Sequence, residues 1–123
     1  MDFWASWCGI CRAGTPKIKE YYNTFPHGWF DVISVSSDEN DAWHAAMEKD
    51  QMPWAQYCLT PQGIKDLMEK YQIIGVPYYL LIYLEGKVIA NPSGVENIRE
   101  FGIRNCLKNL VITLLFCIFM DEN

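Results

Sequence analysis

The period of apolar and polar positions changes several times along the chain, and each change marks an element. Met1 to Ala5 is apolar apart from Asp2 and predicts the end of a strand. Between Cys8 and Phe25, Ile18, Tyr21, Tyr22 and Phe25 recur at spacings of three and four, which gathers them on one face of a helix. Pro16 falls inside that helix, where it removes a backbone hydrogen bond and bends the axis. Pro26-His27-Gly28 stops it. Phe30 to Ser36 carries the β-branched Val32, Ile33 and Val35 and predicts a complete strand, ended by Asp38-Glu39-Asn40.

Asp41 is the expected cap of a short helix through Lys49, with Trp43, Ala46 and Met47 as its apolar side. Gln51 to Cys58 predicts irregular or extended chain. Thr60-Pro61 predicts a helix start, with Thr as cap and Pro in the first turn. Ile64, Leu67, Met68 and Tyr71 form its apolar stripe. Gly75-Val76-Pro77 breaks the chain before a strong strand from Tyr78 to Leu84. Glu85-Gly86 predicts a turn and Lys87 to Ala90 a short return strand. After the loop Asn91-Pro92-Ser93-Gly94, the residues Val95, Ile98, Phe101 and Leu107 suit a last helix, weakened by Gly102. The order is strand, helix, strand, helix, helix, strand, strand, helix. A β-α-β start with a hairpin and a closing helix implies a mixed sheet covered on both faces.

Composition narrows the class. A chain of 123 residues that is 50% hydrophobic is long enough for one core and excludes a disordered or collagenous protein. A net charge of −5 without a Lys/Arg cluster speaks against binding nucleic acid or an anionic membrane surface. The opening Met1-Asp2-Phe3-Trp4 is not a secretory signal pattern. The longest apolar stretch, Leu110 to Met120, is about half of the ~20 residues a membrane-spanning helix needs, so no span is expected. Five cysteines are too few for a disulfide scaffold, and the odd number leaves at least one unpaired within a monomer.

Cys8-Gly9-Ile10-Cys11 carries the chemistry. Two cysteines three apart at the start of a helix can close a small disulfide ring. The first of them sits where unsatisfied backbone N–H groups and the positive end of the helix dipole converge. A thiol of ordinary pKa ~8.5 can fall to about 3.5–7.5 in such a place. Cys8 thereby becomes a nucleophile toward disulfide sulfur, and Cys11, shielded one turn in, can resolve the mixed disulfide. A bare C-x-x-C is also half of a zinc site, but that needs a second Cys or His pair. Cys58, Cys106, Cys117, His27 and His44 are scattered singly, so no metal is expected. Gly9 and Ile10 carry no charge and tune the pair only weakly. They do not set the direction of electron flow.

Asp2-Phe3-Trp4-Ala5-Ser6-Trp7-Cys8-Gly9-Ile10-Cys11-Arg12, with Pro16 five residues after Cys11, resembles the active-site segment of the thioredoxin superfamily. Ser36-Ser37-Asp38-Glu39, Trp43 and Met52-Pro53-Trp54 resemble its TlpA/ResA branch. So do Tyr71-Gln72-Ile73-Ile74-Gly75-Val76-Pro77 and the Glu85-Gly86-Lys87 hairpin. The resemblance runs from Asp2 to about Leu107. It implies a thioredoxin-like α/β fold over residues 1–109, with a central mixed sheet of about four strands and a first strand shortened at the N-terminus. Residues 110–123 match nothing in the family; left exposed, that apolar tail would be a dimerisation or aggregation patch.

The resemblance also implies a thiol-disulfide oxidoreductase, of a branch that works outside the cytoplasm. Cys8 corresponds to the attacking cysteine and Cys11 to the resolving one. Pro77 corresponds to the cis-proline beside the disulfide, with the backbone of Val76 turned outward to receive an extended substrate. Trp7, with Gly9 and Ile10, would supply contact surface, and Trp4 would be core. Asp2 corresponds to the buried acid beneath the resolving cysteine, a proton acceptor whose pKa burial raises. The competing reading is a solvated residue at the chain's start. Partners would be protein disulfides and an upstream thiol reductant. No cofactor is expected, because the electrons reside in the dithiol. His44, Glu48 and Glu69 read as surface residues, Cys58 as an ordinary half-buried thiol, and Cys106 and Cys117 as small core residues.

Two other functions are consistent with parts of the chain. The Ser36-Ser37-Asp38 block also resembles peroxiredoxin relatives of this branch, which implies a thiol peroxidase with a Pro/Thr-x-x-Cys site, but Gly14-Thr15-Pro16 lies after the cysteines. A redox-silent binding module would use the Trp7 and Pro77 surface, and the intact cysteine pair argues against it.

Overall fold

Asp2 and Phe3 form β1, the strand on which the sheet is built. In this computed structural model the described residues are 1–24, 30–82, 87–92 and 94–100. β1 pairs in parallel with β2 (Ile33–Ser36) and antiparallel with β4 (Tyr78–Tyr79). β3 (Ala55–Cys58) adds in parallel outside β2, so the mixed sheet runs β3-β2-β1-β4. Between these strands lie α1 (Gly9–Thr24), α2 (Asn40–Asp50) and α3 (Pro61–Lys70). A separate two-stranded ladder joins β5 (Leu81–Ile82) to β6 (Val88–Ala90), and a 3₁₀ turn follows at Val95–Asn97.

Alternation along β1 sorts the core. Phe3 faces one side, where Val35, Ile73 and Leu80 close over it and Ile64, Leu67 and Met68 of α3 pack from outside. Asp2 and Trp4 point to the opposite side. There Ile18 and Tyr21 of α1 meet Val32, Trp54 and Tyr79. Trp4 packs with Ala5, Cys8, Cys11 and Ala46 of α2. Helices therefore cover both faces of the sheet, because each face carries apolar side chains that only a second layer removes from water. Burying each large apolar side chain contributes about 1.5–3 kcal/mol, and Phe3, only 1% exposed, lies at the centre.

Several expectations shift in detail. The extended segment at Gln51–Cys58 contains a true strand, β3. Its exposed and half-buried residues lack the apolar alternation that announces strands, and the backbone ladder to β2 makes it one. Asp41 does not cap α2. Glu39 occupies the N-cap without a side-chain bond, and Asp41 lies in the first turn. Thr60 does cap α3, its hydroxyl accepting from the Gly63 N–H, with Pro61 behind it. The single strand expected from Tyr78 to Leu84 divides into β4 and β5. The Glu85-Gly86 turn, Phe101 and Leu107 of the last helix, the 109/110 boundary, the apolar tail, Cys106 and Cys117 lie outside the described residues. Among the described residues no helix is long and apolar enough to cross a membrane.

Candidate active site

The chain leaves β1 at Trp4, whose N–H still donates to the Val35 carbonyl, and turns at once into α1. The turn closes with the Cys8 N–H on the Ala5 carbonyl at 3.1 Å, and the Arg12 N–H then donates to the Cys8 carbonyl. Cys8 thus directly precedes the first turn of α1, where backbone donors have no helical partner. One of those donors, the Cys11 N–H, points at Cys8 Sγ at 3.2 Å. The sulfur takes the place an oxygen takes in an ordinary N-cap. α1 has no acidic residue in its first turn, so no fixed anion competes with a thiolate for that field. Cys8 and Cys11 are joined as a disulfide with Cα atoms 5.2 Å apart. Both are buried, Cys8 at 7% and Cys11 at 3% exposure.

Apolar side chains stand exposed within this ring and just before it. Trp7 is 77% exposed and Ile10 is 74% exposed, with Gly9 open between them. Val76 packs against the cluster that contains both cysteines, and the Val76–Pro77 peptide bond is cis. Ile74, two residues before Val76, is fully exposed. Trp4 is core, its indole N–H held by Gln56 Oε1 at 3.2 Å.

Asp2 is buried rather than solvated, which decides between the two readings of its environment. It shares its sheet face with Trp4, which packs against Cys11. Ser34 Oγ donates to Asp2 Oδ2 at 2.6 Å, and Trp54 Nε1 donates to Ser34 Oγ at 2.7 Å. Desolvation raises the Asp2 pKa to about 6 against the pull of the Ser34 hydrogen bond. Tyr79, opposite Asp2 in the antiparallel ladder, is pushed up to about 12 by its own burial and then by the Asp2 charge. Ser34 and Trp54 were not singled out from the sequence for this role. Trp54 stood in the Met52-Pro53-Trp54 block, but nothing local shows that its indole reaches Ser34.

Cys58, at the end of β3, is a free thiol outside the apolar cluster that holds this pair. Its Sγ–H donates to the Asp38 carbonyl at 3.3 Å, and burial followed by the Asp38 charge raises its pKa, the opposite of an activated thiol. His44 is exposed, with its ring against Trp43, and Glu48 and Glu69 are exposed.

A disulfide ring at the start of α1, on a sheet ordered β3-β2-β1-β4 with helices on both faces, defines the thioredoxin class of protein. The chain belongs to the thioredoxin-like family, whose model matches residues 1–88. It is similar to probable nucleoredoxin 1 of Arabidopsis thaliana, 32% identical over 104 residues, which covers 83% of this chain and 18% of that protein. Thiol-disulfide oxidoreductase ResA of Bacillus thuringiensis is 28% identical over 100 residues, covering 78% of this chain and 54% of the relative. The crystal structure of the thioredoxin domain of a thiol-disulfide oxidoreductase from Bacteroides vulgatus superposes with a TM-score of 0.73. That match is 33% identical and covers 81% of this chain and 75% of that domain. The chain spans between 18% and 27% of the length of plant nucleoredoxins that it matches.

Proposed function

We propose that this chain is a thiol-disulfide oxidoreductase that reduces protein disulfides through the Cys8–Cys11 pair. The observation that carries the reading is the disulfide at the start of α1, with the Cys11 N–H aimed at Cys8 Sγ. In the reduced protein, Cys8 thiolate attacks one sulfur of a substrate disulfide. The substrate S–S bond breaks, a Cys8–substrate bond forms, and the other substrate sulfur leaves as thiolate. Cys11, deprotonated in turn, attacks Cys8 Sγ. The second substrate sulfur leaves, and two electrons have passed to the substrate as the Cys8–Cys11 bond closes. An external dithiol reopens that bond, so no metal or organic cofactor takes part.

Asp2 is the proton acceptor for Cys11 in this scheme. Its support is its place on the sheet face against which Cys11 packs, together with a pKa of about 6, close enough to neutrality to take and return a proton. Trp7, Gly9, Ile10, Val76 and Pro77 form the docking surface. A flat aromatic ring supplies apolar contact, and the Val76 backbone offers pairing to an extended chain. An extracytoplasmic place of work follows from the TlpA/ResA resemblance.

The test equilibrates the protein in glutathione buffers of graded ratio, traps free thiols by alkylation and counts them by mass. A reversible two-electron transition of Cys8 and Cys11 is expected, together with loss of protein-disulfide reduction in Cys8→Ser. Reduction at the wild-type rate by Cys8→Ser refutes the mechanism.

A further inference from the structure

Ser6, two residues before the nucleophile, has all three of its polar groups held by charged side chains from elsewhere in the chain. Its N–H donates to Asp38 Oδ2 at 2.8 Å, and its Oγ donates to Asp38 Oδ1 at 2.8 Å. Its carbonyl accepts from Arg12 Nη1 at 3.3 Å. Both charged residues are themselves anchored. Ser36 Oγ, at the end of β2, donates to Asp38 Oδ2 at 2.5 Å, and the Asp38 N–H donates back to Ser36 Oγ. Arg12 makes a two-pronged pair with Asp50 at the end of α2, Nε to Oδ2 at 2.8 Å and Nη2 to Oδ1 at 2.9 Å.

A loop residue with its N–H, hydroxyl and carbonyl all engaged has little freedom left. Charge-assisted bonds of this length are stronger than neutral ones. The residues on its C-terminal side are Trp7, on the docking surface, and Cys8, the attacking sulfur. Ser6 therefore joins the ends of β2 and α2 to the turn that presents both.

We propose that Asp38 is a positioning residue of the thiol-disulfide cycle, holding Ser6 so that the Trp7–Cys8 turn keeps the same place in the reduced and oxidised protein. Asp38 touches neither sulfur in this role. It acts through Ser6, with Arg12 as the opposing jaw. The inference rests on the oxidoreductase reading given above. Its physical consequence lies in the equilibrium between dithiol and disulfide. Ring closure is favoured in proportion to how often Cys8 Sγ already sits within reach of Cys11, and a loosened turn lowers that proportion.

The test measures the equilibrium constant of the Cys8–Cys11 disulfide against glutathione in wild type, Asp38→Ala, Asp38→Asn and Ser6→Ala. Thermal melts run alongside. Asp38→Ala is expected to lower the constant about tenfold, the change that loss of a charge-assisted bond corresponds to, and Ser6→Ala about threefold. Asp38→Asn separates geometry from charge. Its amide oxygen can accept from the Ser6 N–H and from Ser36, while its NH₂ donates to a rotated Ser6 hydroxyl. It should restore most of the wild-type constant.

If Asp38→Ala and Ser6→Ala melt earlier yet keep the wild-type constant, Asp38 is merely structural and the proposal is overturned. If Asp38→Asn behaves as Asp38→Ala, the effect is charge and positioning is again overturned. Should Asp38→Ala not fold, Ser6→Ala decides alone. A wild-type protein with no Cys8–Cys11 transition overturns the oxidoreductase reading itself, whereas a normal wild-type transition left unmoved by the variants overturns only this inference.

Discussion

Replacing Asp2 with Asn should change how stability depends on pH, in a direction the burial of the carboxyl dictates. The unfolded carboxyl titrates near 3.8, whereas desolvation raises the folded value to about 6. Between those two values the folded protein binds the proton more tightly than the unfolded chain. Its contribution to stability is therefore greatest at acid pH and is lost as pH rises through about 6. The rise from 3.8 to about 6 corresponds to about 3 kcal/mol at neutral pH, most of it accumulating between pH 4 and pH 6.

Asn has the size of Asp, keeps an oxygen for Ser34 Oγ, and does not titrate. The assay is urea unfolding of the disulfide-bonded protein at pH 4, 5, 6 and 7, for wild type and Asp2→Asn. Histidines and surface carboxylates cancel in the difference between the two proteins. Wild-type stability should fall relative to Asp2→Asn by about 2–3 kcal/mol over this range. A difference that stays flat refutes the reasoning. A difference of opposite slope would mean that the folded protein favours the ionised carboxyl.

Three further outcomes follow from other contacts. Ser34→Ala removes the donor to Asp2 and leaves the Trp54 indole N–H without its acceptor in a fully buried place. It should cost about 3 kcal/mol in urea unfolding at pH 7 and move the Asp2 titration, followed by carboxyl NMR, to still higher pH. Gly14→Ala places a Cβ 3.1 Å from the buried Tyr79 hydroxyl and 3.5 Å from Val95 Cγ1. The crowding should outweigh the helix preference of Ala, so the melting temperature falls and the net loss is about 1 kcal/mol. Trp7→Ala removes an exposed ring and should leave stability within about 0.5 kcal/mol while slowing reduction of a protein disulfide about fivefold. An unchanged rate would remove Trp7 from the docking surface.

Much of the fold was legible because its signals are local. The three- and four-residue spacing of Ile18, Tyr21 and Tyr22 predicts the apolar face of α1, and Thr60-Pro61 predicts the start of α3. Both depend only on neighbours within a turn or two. β3 carried no such signal. Its half-exposed Ala-Gln-Tyr-Cys is a strand because β2 lies beside it. The cysteine pair was equally plain, since a three-residue spacing ahead of a helical pattern contains both the ring and the dipole that acts on it. The Ser36-Ser37-Asp38 block was visible as a family mark, but its attachment to Ser6 was not.

The sequence by itself determined the secondary elements with strong periodicity, the α/β class and the spacing that lets Cys8 and Cys11 close a disulfide ring at a helix start. Each is set by covalent spacing and by fields that act within one helical turn. Tertiary structure alone decided whether Asp2 is solvated or buried, which side chains hold it, and what holds the turn before Cys8. The deciding contacts join residues far apart in the chain: Asp2 with Ser34 and Ser6 with Asp38, each 32 residues distant, and Ser34 with Trp54, 20 residues distant. Desolvation and hydrogen bonding act through space, so a carboxyl's pKa and a loop's rigidity exist only once the sheet has brought β1, β2 and β3 side by side.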